Sequence, residues 1–310
     1  MDKTVIYVRD LVKKYDAVTA VDGVSFTVER GEVFSLLGPN GAGKTTTLEI
    51  IECIRSLTSG DVRVLGYDVR DPGEVSKVRR LIGVMPQEFD ALERLTVEEN
   101  VKLIRDIYGG GEDLREVLEE LGLWQYRRKL YAKLSGGLKR RVGIAMAMIS
   151  NPELVFLDEP TTGLDVYSRR ETWKYIQSLK RAGKTTILTT HYLEEAESLS
   201  DRVAIMVKGR IVALDNVSDL INKFGGGVRL RVSGGDTGLE SFLTQRGLQW
   251  SRADGDEIQL SGLDHKTAVD LVNILYDSGF MVKYEIRSAG LEEVFLKLTG
   301  ATLTGKGDLA

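Results

Sequence analysis

The chain has 310 residues, 42% of them hydrophobic and 28% charged, which excludes a wholly disordered or collagen-like protein and leaves room for one large or two ordinary domains. A formal net charge of -4 argues against a nucleic-acid binder working by bulk charge, and a single cysteine excludes a disulfide framework or cysteine-rich zinc site and fits a reducing compartment. No window holds the roughly 20 apolar residues of a membrane span, and the opening MDKTVIYVRDLVKKY has no signal-peptide core, so a cytoplasmic chain is expected.

Along the chain, β-branched runs predict strands at 5–8, 24–28, 32–37, 154–158, 185–190, 202–207 and 210–214. Several are almost wholly apolar, as strands covered on both faces are. Helical patterns lie between them, for example at 171–183, so the reading is α/β with a largely parallel sheet. The segment of about 88–150 breaks the rhythm with consecutive helical patterns at 97–108, 112–122 and 136–149, an inserted helical lobe. This first domain is assigned to 1–222. Gly225, Gly226 and Gly227 mark a linker. Beyond it, strand patterns at 228–232, 257–260 and 280–286 alternate with helical ones at 239–247 and 267–279, predicting a small α+β domain over 228–310, ferredoxin-like in order. Ala268, Leu271, Val272 and Leu275 form one apolar stripe that needs a sheet to cover it.

The first motif that carries chemistry is GPNGAGKT, Gly38 to Thr45, which fits G-x-x-x-x-G-K-[ST] between an apolar strand and a helical stretch. Gly38, Gly41 and Gly43 let the backbone curl around an anion, with Pro39, Asn40 and Ala42 between them and Thr46 just inside the helix. The helix dipole adds positive potential there. Lys44 is expected to reach the β- and γ-phosphates, and Thr45 to give its hydroxyl to Mg²⁺. LVFLDEP, 154–160, places Asp158 at the carboxyl end of an apolar strand, where it would help to hold Mg²⁺, and Glu159 next to it, where it would act as general base on a water.

Between these motifs stands LSGGLKRR at 134–141, and the order of phosphate loop, Gln87, LSGG, LVFLDEP, GLD at 163–165 and His191 resembles that of ATP-binding cassette (ABC) proteins over about 1–216. The resemblance implies a phosphate-loop NTPase fold of the ABC type that binds ATP with Mg²⁺. It implies adenine stacking on Tyr15, a metal and water contact for Gln87, a γ-phosphate contact for His191, and communication across a dimer through Asp165. Leu134, Ser135, Gly136 and Gly137 would bind the γ-phosphate held by a second copy or a similar subunit. It further implies an integral-membrane permease as partner and a peripheral place at the cytoplasmic face of the membrane. No nucleic acid is expected.

Alone, Tyr15 has packing as its minority reading, His191 would more often be a structural histidine but for its place after TTILTT, and Lys139, Arg140 and Arg141 read as a solvated helix face or, second, as a phosphate or partner contact. Leu138 departs from the glutamine most frequent in the family. With GLEEVFLKLTG at 290–300, it resembles exporter ATPases of the drug-resistance and ABC-2 groups. Phe89, Leu92 and Leu95 would offer the permease an apolar patch. The competing reading is a soluble ABC ATPase outside transport, and a third is a scaffold that hydrolyses poorly, against which Glu159 and His191 stand.

Overall fold

A computed structural model describes residues 3–234, 238–252 and 257–309, and their contacts divide them into two units: residues up to Asn216 with those from Leu303 onward, and Val217–Thr302. The glycines at 225–227 therefore do not mark the break. It falls earlier because the helix Val217–Phe224 packs on the helix Leu291–Thr299, while the last described residues return to the first unit.

The first unit opens with a long antiparallel pair, β1 (Thr4–Tyr15) and β2 (Val18–Glu29), followed by β3 (Val33–Leu37) and α1 (Lys44–Ile51). Next come β4 (Ser59–Val64), β5 (Tyr67–Asp68), α2 (Pro72–Leu81) and β6 (Ile82–Met85), and then the helical segment α3 (Val97–Ile107), α4 (Leu114–Glu120) and α5 (Gly136–Met148). β7 (Leu154–Asp158), α6 (Val166–Arg181), β8 (Thr185–Thr190), α7 (Leu193–Leu199), β9 (Arg202–Val207) and β10 (Arg210–Asn216) complete it. A six-stranded sheet runs β10-β9-β3-β8-β7-β6, parallel except for the β10–β9 edge pair.

A second, antiparallel sheet, β2-β1-β4-β5, accompanies it where the sequence predicted only one. Two of its strands, β4 and β5, are short and carry few apolar residues, and β6, which the sequence patterns also do not predict, is a four-residue edge strand of the large sheet. β6 contains Gly83, which reads as a breaker. It is required there because a Cβ on it would stand 1.8 Å from the carbonyl oxygen of Ala147.

Both faces of the large sheet are covered, which is why its strands are apolar throughout. Phe34, Leu36, Leu154 and Phe156 point into one core with α1 and the antiparallel sheet, and Val33, Val155 and Leu157 into another with the helical segment. The lone Cys53 sits in the first core, and burial pushes its thiol up to about 11. Helix starts are set by side-chain caps: Thr96 and Glu99 form a reciprocal capping box on α3, and Asp113 caps α4.

The second unit has α8 (Val217–Phe224), β11 (Val228–Ser233), α9 (Leu239–Gln245), β12 (Trp250–Arg252), β13 (Ile258–Leu263), α10 (His265–Asp277), β14 (Lys283–Ser288) and α11 (Leu291–Thr299). Its antiparallel sheet runs β12-β13-β11-β14, and β11 to β14 have the β-α-β-β-α-β order of a ferredoxin-like fold. Ala268, Leu271, Val272 and Leu275 are buried in its core as the stripe predicts. The strand expected from 280 starts only at Lys283, because Phe280 turns inward onto Phe242 with ring centroids 5.1 Å apart.

Glu52, at the C-terminal end of α1, is only 4% exposed, and burial, reinforced by Asp158 and Glu49, pushes its carboxyl up to about 8. The folded chain therefore keeps this proton between pH ~4.5 and ~8 while the unfolded chain loses it, so stability falls as pH rises through that window. Glu52→Gln should raise the melting temperature at pH 8 by more than at pH 5, by an amount corresponding to about 2 kcal/mol or more. Thermal unfolding of both proteins at the two pH values measures it.

Candidate active site

Four adjacent parallel strands, β3, β8, β7 and β6, end at one edge of the large sheet, and each delivers one part of the site. β3 runs into the phosphate loop, β8 into His191, β7 ends on Asp158 before Glu159, and β6 leads to Gln87. The register aligns Leu37 with Thr190 and Asp158 with Thr189, so the loops leave the sheet side by side.

The phosphate loop curls because Gly41 and Gly43 take φ of +73° and +97°. Gly38 lies so close to β9 that a Cβ on it would meet the Met206 carbonyl oxygen at 2.2 Å. The first-turn amides of α1, which have no partner within the helix, face the loop. With Asn40, Ala42, Thr46, Gln87 and Glu159, the loop lines a cleft of about 400 Å³. Lys44 is 4% exposed and folds back across the loop, its Nζ donating to the carbonyls of Gly38 at 2.8 Å and Pro39 at 3.1 Å. Burial lowers its proton affinity, and Glu159 opposes that.

The carboxylates are held by hydroxyls. Asp158 accepts from Thr45 Oγ1 at 3.3 Å and from Thr189 Oγ1. Glu159 Oε2 accepts from Thr162 Oγ1 at 2.9 Å and Gln87 Nε2 at 3.3 Å, and Oε1 lies 3.6 Å from Lys44 Nζ. His191 Nδ1 is 3.2 Å from Glu159 Oε2, outside hydrogen-bond geometry. Burial works to raise the Glu159 pKa, but His191, Lys44 and Thr162 together outweigh it and hold the carboxyl at about 2. Its backbone has a φ of +46°, costly for a residue with a side chain, and its amide is fixed by the Thr189 carbonyl at 3.2 Å and hydroxyl at 3.0 Å.

Other predicted residues lie apart from the cleft. Leu134 is buried, while Ser135 and Gly136 at the N-terminus of α5 are exposed, and the Ser135 side chain makes no cap bond. Gly137 lets α5 approach α6: a Cβ there would stand 2.9 Å from Ser168. Asp165 is exposed and caps α6, accepting from the Ser168 amide at 2.9 Å and hydroxyl at 2.7 Å. Tyr15 is half-buried outside the cleft lining, with Lys13 at 5.0 Å and Arg55 at 5.5 Å from its ring centroid. The expected apolar patch is not continuous. Phe89 packs edge-on against Tyr131, Leu95 is half-buried, and Leu92 alone is exposed.

The basic run after the signature is not a solvated face. Lys139 lies over Tyr131, Arg141 donates to the Tyr175 hydroxyl at 3.1 Å, and Arg140 reaches three main-chain carbonyls. Residue type and spacing carry no signal for that last role, because backbone acceptors leave no mark in a sequence. Glu195 was missed for the same kind of reason. Fully buried on α7, it accepts from Thr161 Oγ1 at 2.6 Å and Trp173 Nε1 at 2.9 Å, partners distant in the chain.

The family described as "ABC transporter" matches residues 21–162. The linearmycin resistance ATP-binding protein of Bacillus subtilis is 35% identical over 95% of this chain and 98% of its own length. The chain belongs to the ABC transporter ATP-binding proteins. It is also 36% identical to the daunorubicin/doxorubicin resistance ATP-binding protein of Streptomyces peucetius, over 94% of this chain and 91% of that one. Nod factor export ATP-binding protein I of Rhizobium etli shares 37% identity over 97% and 95%. A dimeric ATP-binding cassette in a post-hydrolysis state with ADP and phosphate superposes with a TM-score of 0.62 at 28% identity, over 68% of this chain and 98% of that one.

As an ABC ATPase, the protein depends on the curl of its phosphate loop. A Cβ on Gly43 would stand 2.5 Å from the Ala20 carbonyl oxygen at a φ of +97°. Gly43→Ala should weaken ATP binding by at least about tenfold. Equilibrium titration with a fluorescent ATP analogue measures the effect.

Proposed function

We propose that the chain is the ATP-hydrolysing subunit of an exporter. It would work as a head-to-tail dimer and drive a separate membrane permease from the cytoplasmic face of the membrane. The observation that carries this reading is the convergence of Lys44, Asp158, Glu159, Gln87 and His191 at one strand edge, while Ser135 and Gly136 stand exposed outside that cleft. A second copy is needed to bring a signature motif to the phosphates. The resistance and export names of the relatives support the exporter assignment. Among the described residues no helix is long and apolar enough to cross a membrane.

The donors fit Mg²⁺: Thr45 Oγ1 and Asp158 Oδ1, hard oxygen ligands 3.3 Å apart, stand at the mouth of the phosphate loop, with Gln87 nearby. When bound, the ion supplies charge neutralisation between the phosphates. The rest of the chemistry belongs to this chain. Entering phosphates draw Lys44 from the Gly38 and Pro39 carbonyls, and Glu159 loses the ammonium beside it. Its proton affinity then rises from the very low value of the resting site, and it becomes able to accept a proton from water. The water oxygen bonds to the γ-phosphorus, the bond to the bridging oxygen breaks, and ADP and phosphate leave. Tyr15 would stack on the base after moving from its basic neighbours, His191 would sense the γ-phosphate, and Asp165, at the cap of α6, would report to the second copy.

For the permease, the groove between α2 and α3 is a better match than the segment 87–100. It holds about 630 Å³ and is lined by Val75, Arg79, Arg80, Ile107 and Tyr108. Ile107 is 67% exposed, and α2 runs directly into β6 and on toward Gln87, so a push there reaches the site.

Glu159→Gln keeps the side chain's shape and removes the proton acceptor. It should leave ATP affinity near the original value and lower turnover by about 100-fold or more. The variant with MgATP should elute as a dimer in size-exclusion chromatography and without nucleotide as a monomer. A monomer under both conditions would count against the dimeric site.

A further inference from the structure

We infer that Arg140 is a positioning residue for hydrolysis, locking the general base and the Gln87 segment to the signature helix. Its Nε donates to the Pro160 carbonyl at 3.0 Å, Nη1 to the Gln87 carbonyl at 2.8 Å and Nη2 to the Glu159 carbonyl. One guanidinium thus joins three segments, and its rigid planar fork is what makes a simultaneous grip possible. Arg140 stands in the second turn of α5, the helix whose first residues are Gly136 and Gly137. A displacement of the signature end therefore moves the carbonyl of Glu159, a residue already held at a φ of +46°. Arg140 is not itself a residue of the cleft lining, and it grips Gln87 and Glu159 by their main-chain carbonyls and not by their side chains. It acts through the backbone, setting where the Glu159 carboxylate and the Gln87 amide point.

This inference rests on Glu159 as the general base, so Glu159→Gln is measured beside it. Arg140→Ala and Arg140→Lys are made in the full chain. ATP affinity should stay within about threefold of the original, because the phosphate loop is untouched. Turnover at saturating ATP should fall about 10- to 100-fold in the Ala variant and less in the Lys variant, which recovers one of the three bonds. A merely structural role would lower affinity and turnover together in proportion to the loss of folded protein, which thermal unfolding reads. Unchanged turnover, or parallel loss of affinity and turnover, overturns the inference. If Glu159→Gln itself turns over ATP normally, the general-base reading fails first, and the inference falls with it.

An independent observation concerns the last described residues. We propose that 303–309 is a strap over the γ-phosphate end of the site that ATP must displace. The Asn40 amide of the phosphate loop donates to the Gly307 carbonyl at 2.7 Å, and Asn40 Nδ2 donates to the Lys306 carbonyl at 2.8 Å and to Asp308 Oδ1 at 3.4 Å. Gly307 is buried against His191: a Cβ on it would lie 2.8 Å from the imidazole, and its φ is +82°. The strap is a folded turn, closed by Thr304 and Asp308 and by the Gly307 amide on the Thr304 carbonyl at 2.9 Å. It thus covers His191 and takes a loop amide that nucleotide phosphates would otherwise meet.

Removal of 303–310, and separately Gly307→Val, which fits neither that φ nor that space, should each raise affinity for ATP by about two- to tenfold and for ADP by less. Isothermal titration with each nucleotide reads this directly. Equal gains for both nucleotides, no change, or weaker ATP binding in either variant overturns the proposal.

Discussion

Parallel pairing of four neighbouring strands is the constraint from which the rest of the site follows. Because β3, β8, β7 and β6 run in one direction, their carboxyl ends share one edge, and residues as distant in the chain as Lys44, Gln87, Glu159 and His191 meet there. The pairing needs both faces of the sheet covered, and that cover comes from the antiparallel sheet with α1 on one side and the helical segment on the other. Glycines remove side chains where backbones must approach, at Gly38 against β9 and Gly83 against α5. The catalytic edge and the packing of the whole unit are in this sense one structure.

Electrostatics at the edge then sets a resting state. A buried ammonium and an imidazole each lie within a few ångströms of the buried Glu159 carboxylate, and the ammonium and the carboxylate offset the charge that burial would otherwise make costly. The same contacts that stabilise the Glu159 carboxylate hold its proton affinity low. The positive φ at Glu159 concentrates backbone strain where the chain leaves β7, and the hydroxyl and carbonyl of Thr189 hold it from one side.

Much of this was legible in the sequence, because phosphate binding writes itself in residue types at fixed spacing. The loop glycines, Lys44, Asp158 and Glu159 are readable from such spacing, and the strands feeding them from their apolar runs. The small βαββαβ fold was readable from its alternation of patterns. The unread parts have physical reasons. β4 and β5 are short, β6 contains a glycine, and β12 has only three residues, so none carries enough periodicity. Arg140 and Glu195 depend on partners far away in the chain, one set of them backbone carbonyls. The boundary between the units follows the packing of α8 on α11 and not the flexibility of three glycines.

Cys53 has a consequence for experiment. It is the one cysteine of the chain, it is buried in the core under the phosphate-binding helix, and its thiol is pushed up to about 11. At neutral pH it is therefore almost wholly a protonated thiol shielded from solvent, and reagents that alkylate thiolates have little to attack. A cysteine engineered onto the surface becomes the sole reactive thiol without prior removal of the native one. Spin labels, dyes or cross-linkers placed beside Ser135 or on the strap would thus report distances between subunits against a silent background.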